Sequence, residues 1–147
     1  MLPALPTIAQ SPSIPPFAFT SSADIDAMAA KLKANSTPGK SAVGQILDLG
    51  PYRATIEYRN STTPPTIHRS QAEIVYIVSG SATMKIGGTI LNPTGPNENH
   101  LAGTAIEGGT LQKVAKGDWF VMPQNTPHQF TDPHDLVIMS AHLVFPK

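Results

Sequence analysis

The sequence predicts an all-β barrel or sandwich with one N-terminal helix and, ahead of it, an extended proline-rich arm. Three observations carry this. From Ser41 onward the chain reads as short alternating runs divided by turn residues at regular spacing. Only one stretch, 21–34, has helical periodicity. No second helix alternates with the strands, which argues against a parallel α/β sheet. With 147 residues the chain suits one domain with a real core rather than two.

The first 20 residues form the arm. Five of the 15 prolines fall within the first sixteen positions, too many for a helix and with no clean strand. The helix of segment 21–35 follows. Thr20, Ser21 and Ser22 are N-cap candidates, and Asp24 and Asp26 sit in the first turn, where the helix dipole favours carboxylates. Ile25, Met28, Ala29 and Leu32 recur at i, i+3, i+4 and i+7, a single apolar stripe suited to capping a domain. Lys31 and Lys33 suit its C-terminal end, and residues 35–39 stop it.

The barrel domain is expected over 41–147. Strands are predicted at 42–49, 52–59, 73–78, 82–86, 89–91, 101–106, 111–114, 119–122, 128–131 and 136–145. Gly87-Gly88 reads as a hairpin turn between two of them, and Gly108-Gly109 as another. The polar, turn-rich loop 92–100 is expected to border one end of the barrel.

Composition narrows the function classes. The formal net charge is 0, from 10 basic and 10 acidic residues with no basic block, which disfavours nucleic acid or an anionic membrane as partner. Cysteine is absent, so disulfides and thiolate ligands are excluded and any metal must be held by nitrogen and oxygen. No apolar run approaches the length of a membrane span. The N-terminus lacks a positive n-region and is broken by prolines, so a cytoplasmic location is favoured. The sequons at Asn35 and Asn60 are accordingly read as chance.

Two segments hold the chemistry: IHRSQAEIVYIVSG, residues 67–80, and GDWFVMPQNTPHQF, residues 117–130. Together they offer His68, Glu73 and His128, two imidazoles and a carboxylate, a set that can hold one face of a metal ion and leave the other open. In the strand from Glu73, the side chains of Glu73, Val75 and Ile77 share one face and those of Ile74, Tyr76 and Val78 the other. A carboxylate on an otherwise apolar face is costly unless it is paired or bound to a cation. The turn 69–72 can bring His68 to the same point. His142, on the last strand, can enter the barrel by antiparallel pairing, as a fourth ligand or a proton carrier; a histidine satisfied by hydrogen bonds is the plainer account. His134 and His100 are expected in solvent. Tyr76 and Trp119 are read first as packing residues. Arg53, Glu57 and Arg59 alternate on one face of their strand, where they can meet a carboxylate-bearing substrate; a solvated outer face is the plainer account.

These segments resemble the two motifs of the cupin superfamily, and the resemblance runs from about Gln45 to Phe145. The H-x4-E-x6-G part of the first motif is met by His68, Glu73 and Gly80; the second is met by Gly117, Pro123 and His128. The chain is most similar to small single-domain bacterial-type cupins with an N-terminal helix and a phrase like GTAIEGGTLQKVAKGD between the motifs. The resemblance implies a double-stranded β-helix, the jelly-roll barrel, and a metal site of three histidines and a glutamate. This sequence departs from it at three places. Thr66 stands where the first histidine belongs, Asn125 replaces a glycine, and Asp132 stands where the second motif ends in asparagine. The set is thereby reduced to His68, Glu73 and His128.

Two functions follow as expectations. The first is a metal-dependent enzyme acting on a small molecule inside the barrel, by oxygenase, isomerase or lyase chemistry, with a divalent iron, manganese, nickel or zinc ion. Tyr76 and His142 would then handle protons. The second is a non-catalytic cupin with a degenerate site, which binds a small ligand or serves as a dimerisation scaffold. Nothing in the sequence speaks for a storage or sugar-related role. A homodimer is expected by analogy.

Overall fold

The computed structural model describes residues 17–144 of the chain, so the predicted arm lies almost wholly outside the described residues. After the helix α1 (Ser22–Ala34), the strands run β1 (Ala42–Leu49), β2 (Tyr52–Arg59), β3 (Thr66–Ile67), β4 (Gln71–Ile86), β5 (Thr89–Leu91), β6 (Leu101–Ala102), β7 (Ala105–Glu107), β8 (Thr110–Ala115), β9 (Trp119–Met122) and β10 (His128–Val144). All strand pairings between them are antiparallel.

Two long strands organise the barrel. β4 and β10 pair along almost their whole lengths, from His128↔Ile86 to Val144↔Gln71, with register shifts between Thr131 and Ile138. At those shifts both strands bend and pass from one layer to the other. In the first layer the leading half of β4 and the trailing half of β10 join β9, β2 and β1. In the second, the other halves join β8, β3 and β6. This is the all-β jelly roll that the sequence predicts, with one short helix.

Several strand boundaries differ from expectation. The segments 73–78 and 82–86 are one strand, and so are 128–131 and 136–145 as far as Val144, because bulges rather than turns break their alternation. The bulge moves the inward phase of β4 from Glu73, Val75 and Ile77 to Ala82 and Met84. Gly80 lies at the bend with φ +75°, and a side chain there would overlap the carbonyl oxygens of His134 and Asp135. Segment 101–106 is two short strands, and β3 is an additional one.

Gly87-Gly88 is not a hairpin. Beyond it β4 is succeeded by β5, which pairs with β7, while the end of β4 pairs with β8 across Ile86↔Thr110. Gly87-Gly88 and Gly108-Gly109 therefore face one another as paired kinks that turn a two-strand ribbon out of the main sheet. Gly88 lies against the Glu107 carbonyl and Gly109 against that of Ile86, all four glycines having positive φ.

The core between the layers is formed by Val75, Ile77, Met84, Val114, Met122, Phe130, Leu136 and Ile138, among others. A second cluster lies outside the first layer, where Ile25, Met28, Ala29 and Leu32 of α1 cover Ile56, Tyr58 and Val137. Ser21 caps the helix through a reciprocal bond with Asp24: the Asp24 N–H donates to Ser21 Oγ at 3.1 Å, and the Ser21 N–H to the Asp24 carboxylate at 3.4 Å. The helix has a direct consequence for the site. It covers the apolar face of β2, so the other face, with Glu57 and Arg59, points into the barrel.

Candidate metal centre

His68, Glu73, His128 and His142 come together at the base of a cavity of about 520 Å³ that opens at one end of the barrel. They arrive from three segments of the chain. His68 follows β3 on the same side as Thr66; Glu73 is on the inward face of β4; His128 opens β10, and His142 lies near its end, directly opposite Glu73. Glu73 and His128 are buried, and no buried side-chain polar atom among the described residues lacks a partner.

The three imidazoles converge on one carboxylate oxygen. Glu73 Oε2 lies 3.5 Å from His68 Nε2, 3.5 Å from His128 Nε2 and 3.9 Å from His142 Nε2. Donor atoms held about 2.1 Å from one ion sit roughly 3.0–3.4 Å apart, so small side-chain adjustments bring this set to coordinating distance.

Second partners set the tautomers. The Nδ1–H of His68 donates to the Asn99 carbonyl at 2.7 Å, and that of His128 to the Thr126 carbonyl at 3.0 Å. A carbonyl only accepts, so the proton belongs on Nδ1 in each neutral ring and the Nε2 lone pair faces Glu73. Loop 92–100 is thus part of the site. Asn99 Oδ1 also accepts from the Ser70 N–H at 3.1 Å and the Ser70 hydroxyl at 2.5 Å, and the Arg69 N–H donates to the Glu98 carbonyl at 3.0 Å.

Two triads share His68 and Glu73. The ligand atoms of His68, Glu73 and His142 all lie within 4.8 Å of one another. His128 approaches Glu73 as closely, but its Nε2 also lies 3.0 Å from Thr66 Oγ1, whose hydroxyl donates to it. Thr66, at the position of the missing histidine, therefore makes a hydrogen bond in place of a ligand bond.

The charges are coupled. Burial alone would raise the Glu73 pKa, but a hydrogen bond from Nε2 of His68 when that ring is protonated, and the three nearby imidazoles, outweigh it and hold it at about 2. Burial also acts to lower the His68 pKa, yet the Glu73 carboxylate and the Asn99 carbonyl raise it above the ordinary value. His128 and His142 go the other way: burial dominates over the attraction of Glu73, and both are lowered. The centre thus keeps an ionised carboxylate beside imidazoles that differ in basicity.

Tyr76 is not brought to this cluster. It is on the opposite face of β4 from Glu73, with its ring centroid 6.1 Å from that of Trp119 outside the barrel, because strand side chains alternate between faces. Its proposed proton-handling role has no geometric support. Arg53 is in solvent as expected, but Glu57 and Arg59 are not on a solvated face. Their side chains are only 14% and 16% exposed, and they line the cavity. His134 and His100 are exposed, His100 at the cavity rim. Sequence reasoning missed Asn99 and Thr126, and it set the Glu57–Arg59 pair on the outer face. The apolar Ile56 and Tyr58 that alternate with that pair were the available signal, once the helix is allowed to cover them.

Comparison with known proteins agrees with this architecture. No curated protein matches the chain. Among solved structures, a hydroquinone 1,2-dioxygenase in complex with Cd2+ and 4-hydroxybenzonitrile is similar with a TM-score of 0.59 at 16% identity, over 80% of this chain and 72% of that one. The L-ribose isomerase of Cellulomonas parahominis gives 0.52 at 15%, over 73% and 62%. A predicted oxalate decarboxylase of Thermotoga maritima gives 0.50 at 12%, over 73% and 83%. At such identities the likeness is one of fold. The family model described as Cupin matches residues 37–141, most of the length of the chain. Together with the jelly roll and the two motifs, that match shows that the chain belongs to the cupin family.

Proposed function

We propose that this cupin is a metal-dependent enzyme that transforms a small molecule in the cavity above Glu73. The observation that carries the reading is the convergence of three Nε2 atoms on Glu73 Oε2, with two of the rings preset by backbone carbonyls. A nitrogen and oxygen donor set of this kind suits divalent iron, manganese, nickel or zinc. His68, Glu73 and His142 would hold the ion, and His128 would complete the set once the Thr66 hydroxyl turns away. Bound there, the ion supplies Lewis acidity, and with iron or manganese one-electron redox chemistry.

The protein residues do the rest. His68 and Glu73 orient the centre, and the Asn99 loop keeps His68 in its tautomer. Where only three residues bind, the fourth position is open to substrate, and the remaining imidazole, His128 or His142, can carry a proton. Phe130 and the walls above restrict water. The similar structures include a dioxygenase, an isomerase and a predicted decarboxylase, which supports small-molecule chemistry of oxygenase, isomerase or lyase type without choosing among them.

Thr66 supports a second reading, a non-catalytic cupin whose centre has lost a ligand and which binds a small molecule or serves as a scaffold. Elemental analysis of the purified chain, before and after incubation with each of the four metals, separates the two. Stoichiometric metal is expected in the wild type and its loss in Glu73→Ala and His68→Ala; a wild type that takes up none of the four ends the enzyme reading. The reading includes a homodimer and a cytoplasmic location. Among the described residues no helix is long and apolar enough to cross a membrane. Sedimentation of the full chain checks the dimer, and a monomer removes that part.

A further inference from the structure

The cavity has a second polar feature, apart from the histidine cluster. Arg59, on the inward face of β2, donates from Nε and Nη2 to Glu57 Oε2 at 3.2 and 2.9 Å, and from Nη1 to Thr63 Oγ1 at 3.0 Å. Its guanidinium carbon lies 4.9 Å from the centroid of the Phe130 ring. Three hydrogen bonds and an aromatic face hold the side chain in one place. An ion pair this enclosed costs desolvation, and an apolar pair of similar size often serves stability as well or better. Its position on a cavity wall, rather than in the dense core, points to a ligand.

We propose that the Glu57–Arg59 pair selects the ligand, and that it favours a small neutral hydroxylated molecule over a free carboxylic acid. The inference rests on the reading that this cavity is the ligand site. Of the five guanidinium N–H donors, the bonds above use three, and Glu57 Oε1 accepts none of them. A hydroxyl can accept from a remaining N–H and donate to Oε1 without moving either side chain. A carboxylate can only accept, and it would meet the Glu57 charge beside an arginine that is already neutralised. Lys40, the lysine on the lining, is exposed at the rim, where water screens it. Val43 and Pro64 supply apolar surface for the carbon skeleton.

The test is ligand-observed NMR titration of the full chain with two probes of similar size, trans-cyclohexane-1,2-diol and cyclohexanecarboxylate. Each is measured on metal-free and zinc-treated protein. The wild type is expected to bind the diol about fivefold more tightly or better. Glu57→Gln keeps the shape but removes the charge, and is expected to reverse the preference. Arg59→Lys keeps the charge but loses the fork, and is expected to weaken the diol with no gain for the carboxylate. Tighter carboxylate binding by the metal-free wild type, no binding of either probe, or an unchanged preference in metal-free Glu57→Gln overturns the proposal. If Glu57→Gln does not fold, undiminished diol binding by Arg59→Lys overturns it. Metal content is measured separately on every sample. A preference that switches in a protein that takes up no metal sinks the enzyme reading alone; normal metal with no switch sinks this proposal alone.

Discussion

At the scale of single residues, the centre depends on neutral imidazoles around an ionised carboxylate. The raised pKa of His68 means that a proton would compete with the proposed metal ion for Nε2. Metal affinity is therefore expected to be greatest above that pKa and to fall about tenfold per pH unit below it, as one proton must leave. Chelator competition between pH 8.5 and 5.5 reads this directly, and a flat profile would remove His68 from the ligand set. Asn99 touches His68 through its carbonyl, so under the proposed function it would act through that ring rather than on the metal. Removing its side chain frees the Ser70 hydroxyl and loosens the carbonyl that takes the His68 proton. Asn99→Ala is expected to weaken metal binding by about tenfold, the lower end of what orienting partners contribute. Both Glu73 and its histidine partners within the two motifs were legible in the sequence, because ligand type and spacing are local. Asn99 was not legible, since only the folded loop brings it within 2.7 Å of His68.

At the scale of elements, β4 and β10 are the parts on which the site depends. Their bend carries Glu73 and His142 in one half, and His128 in the other, to a common point. Gly80 makes the bend possible. Gly80→Ala adopts the left-handed backbone at a cost of roughly 1–2 kcal/mol, before the overlap with the His134 and Asp135 carbonyls is counted. Urea unfolding is expected to show a loss larger than that range, and an unchanged midpoint would mean that the bend is not constrained there. The link from α1 to the same bend is weaker. Lys33 pairs with Asp135 at 2.5 Å, but both side chains are more than half exposed, so water screens most of the pairing. The helix is held mainly by its apolar stripe on Ile56 and Tyr58. The same apolar alternation was visible in β2, but periodicity alone gives two faces and does not say which one the helix will cover. That ambiguity put Glu57 and Arg59 on the wrong side.

At the scale of the whole molecule, the buried carboxylate makes stability depend on acid. The Glu73 pKa lies at about 2, below the ordinary 4.5, so its ionised form stabilises the fold above pH 4.5 and that contribution is lost as pH falls towards 2. Thermal melting of the metal-free chain is expected to drop across that window. In Glu73→Gln the melting point is expected to be lower at pH 7 and to fall less on acidification; equal acid sensitivity in both proteins would place the loss elsewhere.

The sequence by itself determined the class of fold and the capped helix, and it singled out His68, Glu73 and His128 as candidates that the fold brings together, because alternation, capping and motif spacing are local properties of the chain. Only the tertiary structure decided which face of each strand met the cavity. It turned two pairs of predicted strands into two continuous bent ones, set His142 opposite Glu73, gave Thr66 a hydrogen bond to His128 and enclosed Glu57 with Arg59. Those outcomes depend on register, on bulges and on where the helix packs, and these are settled by contacts between residues far apart in the chain.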